Sequence, residues 1–130
     1  MKGKEVVFQN IKKQEGFTLR NQERELHDFR DIDIEDYIAD MLVTPRQFVV
    51  LTAPAAQNHI RFVQATVHRN GNLEVELGVE DKDGTRLYYK YCTEEECYQI
   101  FLDFYDNYSF SPDMRAYKPV EFQVDSQDSQ

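Results

Sequence analysis

The chain has 130 residues, 41% apolar and 30% charged, the composition of one ordinary globular domain. Its 24 Asp and Glu against 15 Lys and Arg give a formal net charge of −9, a field that repels phosphate backbones and disfavours general nucleic-acid binding. No run approaches the ~20 apolar residues that cross a bilayer, and the polar start MKGKEVVFQNIKKQEG holds no signal-peptide apolar region, so the expected compartment is the cytoplasm, with both cysteines as thiols.

The same acidity that keeps a protein soluble also speeds its encounter with a basic partner. The 8 Tyr and 9 Phe suit a contact surface, or equally a sheet with half-exposed rings. The first short apolar run, Val6 to Phe8, reads as a brief strand or an ordered tail. Residues 17–31, FTLRNQERELHDFRD, read either as a helix capped by Thr18 with Leu19, Gln22, Leu26 and Phe29 along one side, or as an extended segment. In DIDIEDYIADMLVTP, Ile34, Tyr37, Ile38, Met41 and Leu42 recur at helical spacing; Asp33 can cap and Pro45 prevents continuation past Val43 or Thr44.

Strand signals follow. Gln47 to Ala53 is a continuous β-branched and aromatic run, the pattern of a strand buried on both faces, broken by PAAQN. His59 to Arg69 alternates up to Asn70 and Gly71, a pair that tolerates the positive φ of a tight hairpin turn. Leu73, Val75, Leu77 and Val79 alternate with Glu74, Glu76 and Glu80, and after DKDG the run Thr85 to Tyr91 makes the fourth strand. A two-residue turn at Asn70 and Gly71 and a three-residue loop Lys82 to Gly84 set Glu80 opposite both Arg61 and Arg86, and Glu76 opposite Lys90. In that register Val79, Leu77 and Val75 meet Leu87, Tyr89 and Tyr91; Gln64 shares their face, and Val63, Ala65 and Val67 share the glutamate face. A mixed apolar and charged sheet face of that kind suits another chain better than water.

The stretch YKYCTEEECYQIF holds both cysteines and starts a helix. Thr93 and Glu96 form a capping box, Cys97, Ile100, Phe101, Phe104, Tyr105 and Tyr108 make the apolar stripe, and Cys92 and Cys97 occupy the two positions of a hydrophobic staple. A further strand-like run, Val120 to Val124, precedes a polar end, residues 126–130, read as disordered, so one domain spans 1–125.

Chemistry is thin. Zinc on Cys92 and Cys97 lacks two further ligands, since His27, His59 and His68 are scattered, so no metal and no cofactor is expected. No Gly-rich phosphate loop, G-x-S-x-G or H-E-x-x-H occurs. Two alternatives stay open: a small hydrolase or thiol enzyme using Cys92 or Cys97, and a small-ligand binder with Tyr88, Tyr89, Tyr91 and Tyr98 around a pocket.

The order helix, four antiparallel strands, amphipathic helix, together with IRFVQATVHRNGNLEVELGVE (a Val-Gln pair, a Gly-bearing hairpin, then an L-x-V-E strand), resembles the type III secretion chaperone-like superfamily over residues 33–108. The resemblance implies a non-enzymatic binding protein, a secretion chaperone or a relative tied to toxin systems, that binds its partner through sheet and helix, often as a homodimer. The expectation is therefore an α+β domain, a four- to five-stranded antiparallel sheet with helices 34–43 and 94–108 on its Leu73, Val75, Leu77 and Val79 face. It binds another protein, with Arg61, Val63, Glu74, Glu76, Glu80, Arg86, Tyr88 and Lys90 as contact residues and no catalytic residue.

Overall fold

A computed structural model of the chain describes residues 14–44, 47–106 and 110–121. Within them an antiparallel sheet of seven strands carries two α-helices on one face. In chain order the elements are β1 (Thr18–Arg20), β2 (Glu25–Leu26), α1 (Asp31–Val43), β3 (Phe48–Gln57), β4 (Ile60–Val67), β5 (Leu73–Asp81), β6 (Gly84–Cys92), α2 (Glu94–Asp106), a 3-10 turn (Met114–Ala116) and β7 (Lys118–Pro119). The strand order is β2-β1-β3-β4-β5-β6-β7. The α+β class and the four central strands agree with the sequence pattern, but three short strands extend the sheet beyond the four or five expected. Two of them, β1 and β2, form a hairpin from the segment read as helix or extended chain, and this places Leu19 opposite Leu51 in the core. The runs at 6–8 and 126–130 lie outside the described residues. So does most of the strand expected at 120–124; the edge strand forms just before it, with Lys118 and Pro119 opposite Tyr89 and Tyr88.

Both helices form where their apolar spacing and end signals agree. In α1, Ile34, Tyr37, Ile38 and Met41 are buried, and the Asp33 carboxylate accepts the Arg30 amide at 2.8 Å. Asp33 thus stands three residues inside the helix and reaches back to its start, instead of being the cap itself. In α2 the expected capping box is present: Glu96 Oε1 accepts the Thr93 amide at 2.9 Å, and Thr93 Oγ1 accepts the Glu96 amide at 3.1 Å. Cys97, Phe101, Phe104 and Tyr105 are fully buried against Val49, Leu51, Val63, Ala65, Val75 and Leu77. Each such side chain removed from water contributes ~1.5–3 kcal/mol.

Polar side chains fasten the chain that leaves α2. Gln57 Nε2 donates to the Phe104 carbonyl at 3.0 Å, and Gln57 Oε1 accepts the Phe110 amide at 3.1 Å. Asn58 Nδ2 donates to the Phe110 carbonyl at 2.8 Å. Asn58 and His59, at φ +49° and +74°, make the tight turn between β3 and β4. The buried Tyr105 hydroxyl donates to the Phe29 carbonyl and accepts the Gln14 amide, both at 2.8 Å, and burial pushes its pKa up to about 12.

The two later hairpins exchange the loop lengths expected of them. Val67 pairs with Leu73, and the His68 amide donates to the Asn72 carbonyl, which closes a three-residue loop Arg69 to Gly71 with Gly71 at φ +90°. Asp81 pairs with Gly84, leaving the two-residue loop Lys82 and Asp83, where Asp81 Oδ1 accepts the Asp83 amide at 2.7 Å. Each register is therefore one residue from the expected one. Because side chains alternate, β4 and β6 both turn over relative to β5. Glu76 stands opposite Gln64 and Tyr89, and Leu77 opposite Val63 and Tyr88.

Candidate binding face of the sheet

One face of the sheet is covered by the helices. The other presents Arg20 from β1, Phe48, Val50 and Thr52 from β3, Phe62, Gln64 and Thr66 from β4, Glu74, Glu76 and Gly78 from β5, and Leu87, Tyr89 and Tyr91 from β6. Most of these side chains are half-buried by their neighbours, and Val50 is buried without joining the helix-covered core. Gly78 lies directly beneath the Phe62 ring: a Cβ built there would fall 2.2 Å from Phe62 Cε2. Glycine at this position thus lets the ring lie flat on the sheet.

At the centre of the face stand two carboxylates, two residues apart on β5. Glu74 is only 7% exposed, and its Oε1 bonds to His68 Nε2. A carboxylate only accepts, so this imidazole nitrogen carries the proton. Gln64 Nε2 donates to Glu76 Oε1 across the β4–β5 pair. Burial, with the hydrogen bond to Glu74 next, raises the Glu76 pKa above its ordinary value, while Gln64 and His68 oppose that shift. Tyr89 and Tyr91 stand beside the pair with ring centroids 5.8 Å apart at 75°, and His68 packs edge-on to Tyr91 at 5.7 Å.

Two adjoining hollows share Glu74 and Glu76. One, of about 470 Å³, is bounded by Tyr89, Tyr91 and the strand-edge residues Lys118 to Glu121. The other, of about 350 Å³, is bounded by Arg20, Phe48, Val50 and Gln64. The Arg20 guanidinium lies 5.3 Å from the Phe48 ring centre.

The eight residues expected to make the contact face divide between the two sides. Glu74 and Glu76 are on the open face. Arg61 sits where the β4–β5 pairing shifts and reaches Glu80 at 3.4 Å, so that pair forms through a bulge instead of by direct opposition. Arg86 stands opposite Val79 and approaches Asp81 at 3.9 Å, so the expected row of Arg61, Glu80 and Arg86 stops at Glu80. Val63, 0% exposed, is in the core between sheet and helices and offers nothing to a partner. Tyr88 and Lys90 belong to the helix side: Tyr88 packs on the core, and Lys90 Nζ lies 5.2 Å from the Tyr117 ring centre. The face itself includes Tyr89, Tyr91, Gln64 and His68, which the expected register turned inward or left aside. The four tyrosines proposed for one pocket are separated likewise, with Tyr98 on α2 and Tyr88 beneath the sheet.

The cysteines pair as a staple should. Both cysteines are free thiols: Cys97 is fully buried and hydrogen-bonded to Cys92, which is half-buried. That bond lowers the Cys92 pKa; with burial, it raises that of Cys97. Among the described residues, no three His, Cys, Asp or Glu side chains cluster as a metal ligand set, and no helix is long and apolar enough to cross a membrane. Comparisons with protein families, with curated proteins and with solved structures find no match to this chain.

Proposed function

We propose that this protein is a non-catalytic binding domain that docks a basic protein partner on the open face of its sheet, as a chaperone-like or toxin-neutralising protein of the cytoplasm. The observation that carries the reading is the Glu74 and Glu76 pair. Two carboxylates lie in the middle of an aromatic face, and among the described residues neither meets a Lys or Arg side chain. Holding such a pair half-desolvated with only the His68 imidazole beside it costs stability, and a partner's positive charge offsets that cost on binding. The surrounding Phe48, Phe62, Leu87, Tyr89 and Tyr91 supply the apolar and aromatic area an interface needs.

The test is affinity capture from cell extract, with the native chain and the Glu74→Gln, Glu76→Gln double variant as parallel baits. The reading expects basic proteins to be retained by the native bait, to be lost from the variant, and to be eluted by moderate salt. Capture of no basic protein, or capture indifferent to salt and to the double substitution, would refute it.

A further inference from the structure

The hollow beside Tyr89 and Tyr91 has a chemistry narrower than general acidity. Its lining counts three carboxylates, Glu74, Glu76 and Glu121, against one ammonium, Lys118, with two tyrosine rings set at a steep angle. Elsewhere in the chain, cations already lie over aromatic rings: Arg20 on Phe48 at 5.3 Å, Arg24 on Tyr37 at 5.9 Å and Lys90 on Tyr117 at 5.2 Å. Among the described residues no Lys or Arg covers Tyr89 or Tyr91 or pairs with the carboxylates these rings flank; the basic group there is the His68 imidazole, bonded to Glu74 and edge-on to Tyr91. Tyr91 is 53% exposed, so the ring is open to an incoming group.

We infer that this hollow takes the guanidinium of an arginine side chain, stacked on a tyrosine ring with its N–H fork directed at Glu74 and Glu76. The choice of arginine over lysine follows from shape. A guanidinium is planar, weakly hydrated and presents several donors in one plane, so it can lie on a ring and reach two neighbouring carboxylates at once. An ammonium is a compact, strongly hydrated point charge that meets one carboxylate well and gives up more solvation to enter a half-buried site. Gln64 and His68 already hold one oxygen of each carboxylate, which fixes the pair before the ligand arrives.

The inference rests on the docking reading above, and the two fail differently. The full chain is titrated with N-acetyl-arginine amide, N-acetyl-lysine amide and the neutral isostere N-acetyl-citrulline amide, following the Tyr89 and Tyr91 ring signals by NMR. Saturable shifts at both rings are expected with the arginine compound, roughly three- to tenfold weaker binding with lysine, and none with citrulline. Tyr91→Leu, at an exposed position, should weaken the arginine compound by roughly three- to tenfold while leaving the rest of the spectrum in place. Glu74→Gln with Glu76→Gln should abolish the shifts. Equal response to citrulline, or no response at the two rings, overturns the arginine site. If a lysine-only basic peptide then binds the same face as tightly as an arginine-containing one, the docking reading stands and the arginine site alone falls.

Discussion

At the scale of single residues, Glu76 is the informative one. Burial and its bond to Glu74 raise its pKa in the fold, so the folded chain keeps that proton to a higher pH than the unfolded chain does. Stability from this group is therefore present at low pH and is lost as pH rises from the ordinary glutamate range through the raised value. The groups facing it are Glu74, His68 and Gln64, with Lys118 and Glu121 across the hollow. Glu76→Gln removes the ionisation while keeping a neighbour that can donate to Glu74, so the variant should unfold at higher denaturant than the native chain at pH 7, with the difference shrinking towards pH 4. A lower midpoint at pH 7 would contradict this assignment. Gly78 makes a second residue-scale prediction. An alanine methyl would displace the Phe62 ring that lies over it, and Gly78→Ala should cost ~1–3 kcal/mol in denaturant unfolding. A neutral result would mean that the ring swings away freely.

At the scale of elements, most of the sheet and both helices were legible because each carries its own local signal. The alternation in β5 is clean, the apolar spacing of α1 and α2 is helical, and Thr93 with Glu96 marks a start that the hydrogen bonds bear out. The faces of β4 and β6 were not legible from alternation alone, since both strands carry apolar and aromatic residues on each side. Loop length decides between the faces, and both DKDG and RNG admit lengths of two or three. One signal was available and outweighs the turns: Cys92 must face the helices if it is to staple Cys97. Counting back by two from Cys92 puts Lys90 and Tyr88 on the helix side and Tyr91 and Tyr89 outside, which is the observed arrangement. The short strands β1, β2 and β7 have two or three residues each, too few to show a period.

Two measurements check this level. Cross-strand backbone contacts in NMR spectra should link Leu77 to Tyr88 and Gly78 to Leu87, and contacts of Glu80 with Arg86 in their place would restore the rejected register. A thiol reagent at neutral pH should modify Cys92 first and leave Cys97 unreacted until unfolding, since Cys92 is half-buried with a lowered pKa and Cys97 is buried with a raised one. Prompt reaction at Cys97 would mean that the staple is not closed.

At the scale of the whole molecule, a net charge of −9 attracts basic chains everywhere, so general acidity is the rival of any specific face. A second acidic hollow shows the difficulty: Asp33, Asp36 and Asp40 of α1 line a cavity of about 840 Å³ with Asp28 and Arg24. What separates the sheet face is its aromatic surround and its desolvated carboxylate pair, which meets His68 but no Lys or Arg among the described residues, features that favour a seated partner over a diffuse cloud of counterions. The most direct test sets the two regions against each other. The affinity of an arginine-rich peptide is measured by fluorescence anisotropy for the native chain, for Glu74→Gln with Glu76→Gln, and for Asp36→Asn with Asp40→Asn, which removes the same formal charge. Docking on the sheet face predicts a loss of about tenfold or more in the first variant and a small, salt-screened change in the second. Equal losses in both, or a larger loss from the helix variant, would contradict it.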